Sequence, residues 1–112
     1  MSTERFQAVA IQLASLVSQR KYAQALGMCV ASRLTAEDLD SVMTAYGRSF
    51  LPNQLSKTHL DIVAIEGRGI PTWSIWAPLW NEEEGRSDLQ IEMTVTDSPS
   101  GVLIELDDLR VP

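Results

Sequence analysis

Three helical segments followed by four strand-like runs place this chain in the α+β class, as helices packed against one face of an antiparallel sheet. Three observations carry that expectation. Through the first half, apolar residues recur at three- and four-residue steps. After the connector that holds Pro52, the period changes to two. The links between the last three runs are hairpin-length, which predicts a meander.

The first helix is predicted from about Thr3 to Gln19, with Phe6, Val9, Ala10, Leu13, Leu16 and Val17 on one face and Ser2 or Thr3 as its cap. A second, shorter helix follows, with Tyr22, Leu26, Cys29 and Val30 on one side and Gly27 weakening it. In "SRLTAEDLD", Thr35 reads as an N-cap with Asp38 in the capping-box place. Leu39, Val42, Met43 and Tyr46 supply that helix's apolar face, and Gly47 its stop. "HLDIVAIEG" is a short β-rich run. "TWSIWAPLW" puts Trp73, Ile75 and Leu79 on one parity and Trp76 and Trp80 on the other, with Pro78 suited to an edge or bulge. "DLQIEMTVT" alternates, with Leu89, Ile91, Met93 and Val95 inward. In the last strand Val102, Ile104 and Leu106 share a parity that Leu109 and Val111 break, so a bulge is expected near Asp107 and Asp108.

The length of 112 residues suits one domain over 1–112, and 45% apolar residues can form a core at that size. A net charge of −6 argues against nucleic acid, which requires clustered Lys and Arg, and disfavours an anionic membrane surface. It fits a protein that meets a basic partner. No stretch approaches the length of a membrane span, and "MSTERF" lacks the positive start of a secretory signal, so a cytoplasmic protein is expected. Cys29, the single cysteine, reads as an inert core thiol.

Helix, helix, "LTAEDLDSVMTAYG", connector and strands, together with "PLWNEEEGRSDLQIEMTV" and the closing "IELDDLRV", resemble the NTF2-like cone fold. Within it the chain looks like a bacterial domain family marked by a W-x-E-E-E-G-R-S-D-L hairpin. The resemblance covers Tyr22 to Val111 by element order. It implies N-terminal helices on a curved, mainly antiparallel four-stranded sheet. It carries over no catalytic residue. NTF2-like proteins are either enzymes working inside the cone or modules that bind and dimerise through the outer sheet face, and fold alone does not choose.

Two groups of residues are candidates. Trp76, Trp80, Glu82, Glu83, Glu84, Arg86 and Asp88 form the first, an acidic turn beside aromatic anchors. Gly85 supplies the turn's positive φ and Ser87 can bond the local backbone. The stretch reads as a turn first and a docking edge second. A hard cation is the third reading, but three consecutive glutamates converge poorly, so no metal or other cofactor is expected. Tyr22, Tyr46, His59 and Asp61 form the second group, lining a cone-type pocket in which Asp61 would orient the His59 imidazole. The leading expectation is a non-enzymatic module binding a protein partner, in one version an immunity-type inhibitor of a basic toxin. The rival classes are a small-molecule binder or enzyme using the cone interior, and a structural homodimer.

Overall fold

The computed structural model of the chain describes residues 3–47, 50, 60–83 and 85–112. Ser2, Pro52, His59 and Glu84 lie outside the described residues, as does the side chain of Thr3.

Helix α1 spans Thr3–Ser18, and its stripe of Phe6, Ala10, Leu13, Ala14 and Val17 is buried. It stops in a Schellman arrangement. The Lys21 N–H donates to the Leu16 carbonyl and the Arg20 N–H to that of Val17, with Arg20 left-handed at φ 60°. Arg20 occupies a position where glycine is usual, and its guanidinium reaches Asp40 and Thr44, both at 3.3 Å. Those contacts tie the end of α1 to the third helix.

Helix α2 spans only Tyr22–Gly27. Cys29, past the helix end, still packs against the core with Tyr22 and Leu26 as expected, but Val30 does not. The chain leaves the helix after Gly27, and Val30 is 62% exposed while its N–H donates to the Ile104 carbonyl at 2.9 Å. Ala31–Ser32 then form strand β1. Helix α3, Ala36–Tyr46, has the expected capping box. The Asp38 N–H donates to Thr35 Oγ1 at 3.1 Å, and the Thr35 N–H donates to Asp38 Oδ2 at 2.9 Å. It ends at Gly47 with φ 70°.

Strands β2 (Asp61–Ala64), β3 (Thr72–Asn81), β4 (Gly85–Ser98) and β5 (Gly101–Arg110) follow. They pair consecutively and antiparallel, as the short links predict. The sheet has five strands, in the order β1-β5-β4-β3-β2, and not the four expected. The added strand is β1, parallel to β5 with Ala31 opposite Glu105. The molecule is thus α+β, with N-terminal helices on a mixed sheet.

Both irregularities expected from sequence are present. Register shifts between Pro78 and Trp80, where proline offers no ladder donor. It shifts again in β5. Glu92 faces Asp108 and Met93 faces Leu106, so Asp107 is the extra residue. The bulge lets Leu106 and Leu109, three positions apart, both point into the core.

One face of the sheet carries Ile75, Ala77, Leu79, Leu89, Ile91, Met93, Val95, Ile104, Leu106 and Leu109, all buried. The helices supply Leu13, Val17, Leu39 and Met43 against them. Trp73 shares this face and stacks on Phe6, with ring centroids 4.0 Å apart and planes 14° apart.

Candidate binding face

The opposite face of the sheet is set by parity and register. In an antiparallel ladder, residues directly opposite each other project to the same side. Asp61 of β2 faces Trp76 of β3, Trp76 faces Glu92 of β4, and Glu92 faces Asp108 of β5. These four form one row across the sheet, on the side away from the buried Ile75, Ile91 and Met93. Trp76, Glu92 and Asp108 are half-buried and Asp61 is exposed.

The β5 bulge adds a second carboxylate to that row. Asp107 Oδ2 accepts from Thr94 Oγ1 at 2.7 Å, and Thr94 sits between the inward Met93 and Val95, so Asp107 stands on the outer face as Asp108 does. A regular strand would have turned one of them inward. Glu105, opposite Thr94, extends the acidic surface. Asp61, Glu92 and Glu105 make no ion pair among the described residues.

A cation reaches the row from the neighbouring one, where Arg110 faces Gln90. The Arg110 guanidinium stands over the Trp76 ring at 5.2 Å from its centroid, within cation–π range. Its Nε also pairs with Asp108 Oδ2 at 3.1 Å. Asp108 in turn accepts the Leu109 N–H at 2.8 Å, which fixes the carboxylate beside the bulge.

The residues singled out at the β3–β4 turn extend this face. Trp80 faces Arg86 across the ladder, and Trp76, Trp80, Arg86 and Asp88 project to the same outer side. Glu82 and Glu83 are exposed on the turn beyond them, and Glu84 lies outside the described residues. Gly85 has the positive φ expected, 75°. Ser87 is buried and its Oγ accepts the Leu89 N–H at 2.9 Å, bracing the wide irregularity opposite Leu79. The described docking candidates therefore share the outer side of the sheet and the turn that adjoins it. Sequence reasoning missed Glu92, Asp107, Asp108 and Arg110 as its members. The alternation marked Glu92 as outward, but only the register puts it beside Trp76.

The second candidate group is spread out. The Tyr22 hydroxyl donates to Asp40 Oδ1 at 3.1 Å, at the junction of α2 and α3. Burial, then the bond to Asp40, pushes its pKa up. Tyr46 lies at the end of α3, tilted against Phe50 at 5.8 Å. It lines an open, largely apolar groove of about 390 Å³ with Val42, Ala45, Leu89, Leu109, Arg110 and Val111. Asp61 is on the outer face, across the sheet from both tyrosines. His59 lies outside the described residues.

Cys29 is half-buried, its thiol pushed up in pKa by burial and donating to the Ala25 carbonyl at 3.4 Å. Both effects keep it a neutral, weakly nucleophilic thiol. Among the described residues no group of three or more His, Cys, Asp and Glu is arranged to hold a metal ion. No helix among them is long and apolar enough to cross a membrane.

Fold and face together define an α+β domain with one face of its sheet buried under helices and the other acidic and aromatic. The model of a family described as "Domain of unknown function (DUF7668)" matches residues 14–112, and the chain belongs to that family. No curated protein and no solved structure shows significant similarity to it.

Proposed function

We propose that this domain is a non-enzymatic protein-binding module of NTF2-like type, whose outer sheet face and β3–β4 turn contact a basic partner. One observation carries the reading. Trp76, an aromatic of the kind that anchors interfaces, stands half-exposed in a row with Asp61, Glu92 and Asp108 on the face the helices leave uncovered. Helices on one face of an antiparallel meander are the arrangement on which the NTF2-like likeness rests. A net charge of −6, concentrated here, favours fast association with a positive surface. An immunity-type inhibitor of a basic toxin, acting in the cytoplasm, is the concrete version that this chemistry suits. A homodimer through the same patch is disfavoured, because a two-fold interface sets each carboxylate row against its copy.

The test is charge reversal on the face. Glu92→Lys with Asp108→Lys, and separately Glu82→Lys, Glu83→Lys and Glu84→Lys, are compared with the parent protein. Partners are captured by cross-linking in cells, and association rates are then measured against ionic strength. Each reversal should leave the fold intact and slow association roughly ten-fold or more at low salt. A captured partner that binds all three proteins at one rate, with one salt dependence, removes the face from the function.

A further inference from the structure

We infer that the Trp76 ring is a seat for an arginine side chain of the partner, and that the chain's own Arg110 holds that seat in the free protein. The inference rests on the protein-binding reading above and names the group the face recognises.

Arg110 shows what the seat accepts. Its guanidinium lies over the indole at 5.2 Å while its Nε bonds Asp108 at 3.1 Å, so one planar cation uses the ring and a carboxylate together. That geometry belongs to arginine more than to lysine, whose compact ammonium cannot stack and fork at once. Arg110 is weakly held, because its side chain is 56% exposed and it sits near the end of β5. Exposed cation–π and ion-pair contacts exchange readily.

Charge says the seat is under-filled. Asp61 and Glu92 flank Trp76 directly in the ladder, and neither has an ionic partner among the described residues. Asp107 and Asp108 stand one strand further on, both turned outward by the bulge. Arg110 answers one of these four carboxylates. A partner segment carrying several arginines could place one on Trp76 and set others against Asp61 and Glu92, displacing Arg110 toward solvent.

The probes are three short acetylated peptides alternating glycine with arginine, with lysine, or with citrulline. Binding is read from the indole N–H resonances by NMR, with that of Trp76 assigned from Trp76→Phe. The arginine peptide should shift the Trp76 signal, the lysine peptide should bind about three-fold more weakly, and the citrulline peptide should leave it in place. Arg110→Gln should bind the arginine peptide about three-fold more tightly, since it removes the internal competitor. Trp76→Ala should lose most of the affinity. Equal shifts with citrulline, or binding weakened in Arg110→Gln, would overturn the proposal. If the arginine peptide fails while Glu92→Lys with Asp108→Lys still slows the captured partner, the arginine seat falls and the binding module stands. If both tests fail, both readings fall. Self-association in sedimentation that Trp76→Ala abolishes would overturn the proposal in favour of a second copy as the occupant.

Discussion

Deleting Asp107 should be mild, and deleting Asp107 with Asp108 should be severe. The reason lies in the β5 register. Asp107 is the residue without a partner in the ladder, so its removal keeps Leu106 opposite Met93, Asp108 opposite Glu92 and Leu109 opposite Ile91. What is lost is the hydrogen bond from Thr94 and the local twist, about 1.5 kcal/mol for a half-buried bond to a carboxylate. Removing Asp108 as well moves Leu109 into the outward place opposite Glu92 and brings Arg110 to the inward place opposite Ile91. Leu109 is 2% exposed, and emptying such a site costs about 2–5 kcal/mol before the burial of a guanidinium is counted. Urea unfolding followed by far-UV circular dichroism reads both. With a slope near 2 kcal/mol per molar, the midpoints of the two deletions should differ by about 1 M or more. A single deletion as damaging as the double one would refute the bulge assignment and, with it, the placement of Asp107 and Asp108 side by side.

Phe6→Ala should cost about 3–5 kcal/mol, because it empties a buried site and removes the face of Trp73's stack; urea unfolding gives the loss, and near-UV dichroism should lose the Trp73 contribution. Thr35→Ala removes one half of the α3 capping box and should cost about 1 kcal/mol, a fall of about 4 °C or more in Tm by calorimetry. Tyr22 and Cys29 both have pKa values raised above their ordinary 10.0 and 9.0, so folding favours their neutral forms. Their contribution is fully present below those ordinary values and is lost as pH rises through the higher folded values. Urea midpoints should therefore fall on the alkaline side, and Tyr22→Phe with Cys29→Ala should flatten that fall; an unchanged alkaline slope would contradict the assignment.

Elements whose signals are local were legible in the sequence. Thr35 and Asp38 announce α3, Gly47 ends it, and Leu89 to Val95 alternate so regularly that β4 has one possible face. The β5 bulge was legible because a parity break between Leu106 and Leu109 can be read without knowing the partner strand. Strand β1 was not. Two residues of ordinary type, Ala31 and Ser32, become a strand only because β5 lies beside them, and nothing near them in the chain says so. The same holds for the binding face. Trp76 and Trp80 were separable from Trp73 by parity, but the carboxylates around Trp76 come from β2, β4 and β5, and cross-strand register brings them together.

The parallel pairing of β1 with β5 has a kinetic consequence. The β3–β4 and β4–β5 hairpins close short loops, whereas joining Ala31 to Glu105 closes most of the chain. Loop-closure entropy is met before such a distant contact returns anything, and topologies built on it fold slowly. Refolding should therefore be staged, with the meander formed early and the helical layer secured when β1 zips onto the β5 edge. Native-state hydrogen exchange should show the reverse order of release. The Val30 and Arg33 amides, bonded to Ile104 and Leu106 across that seam, should open before the amides between β4 and β5.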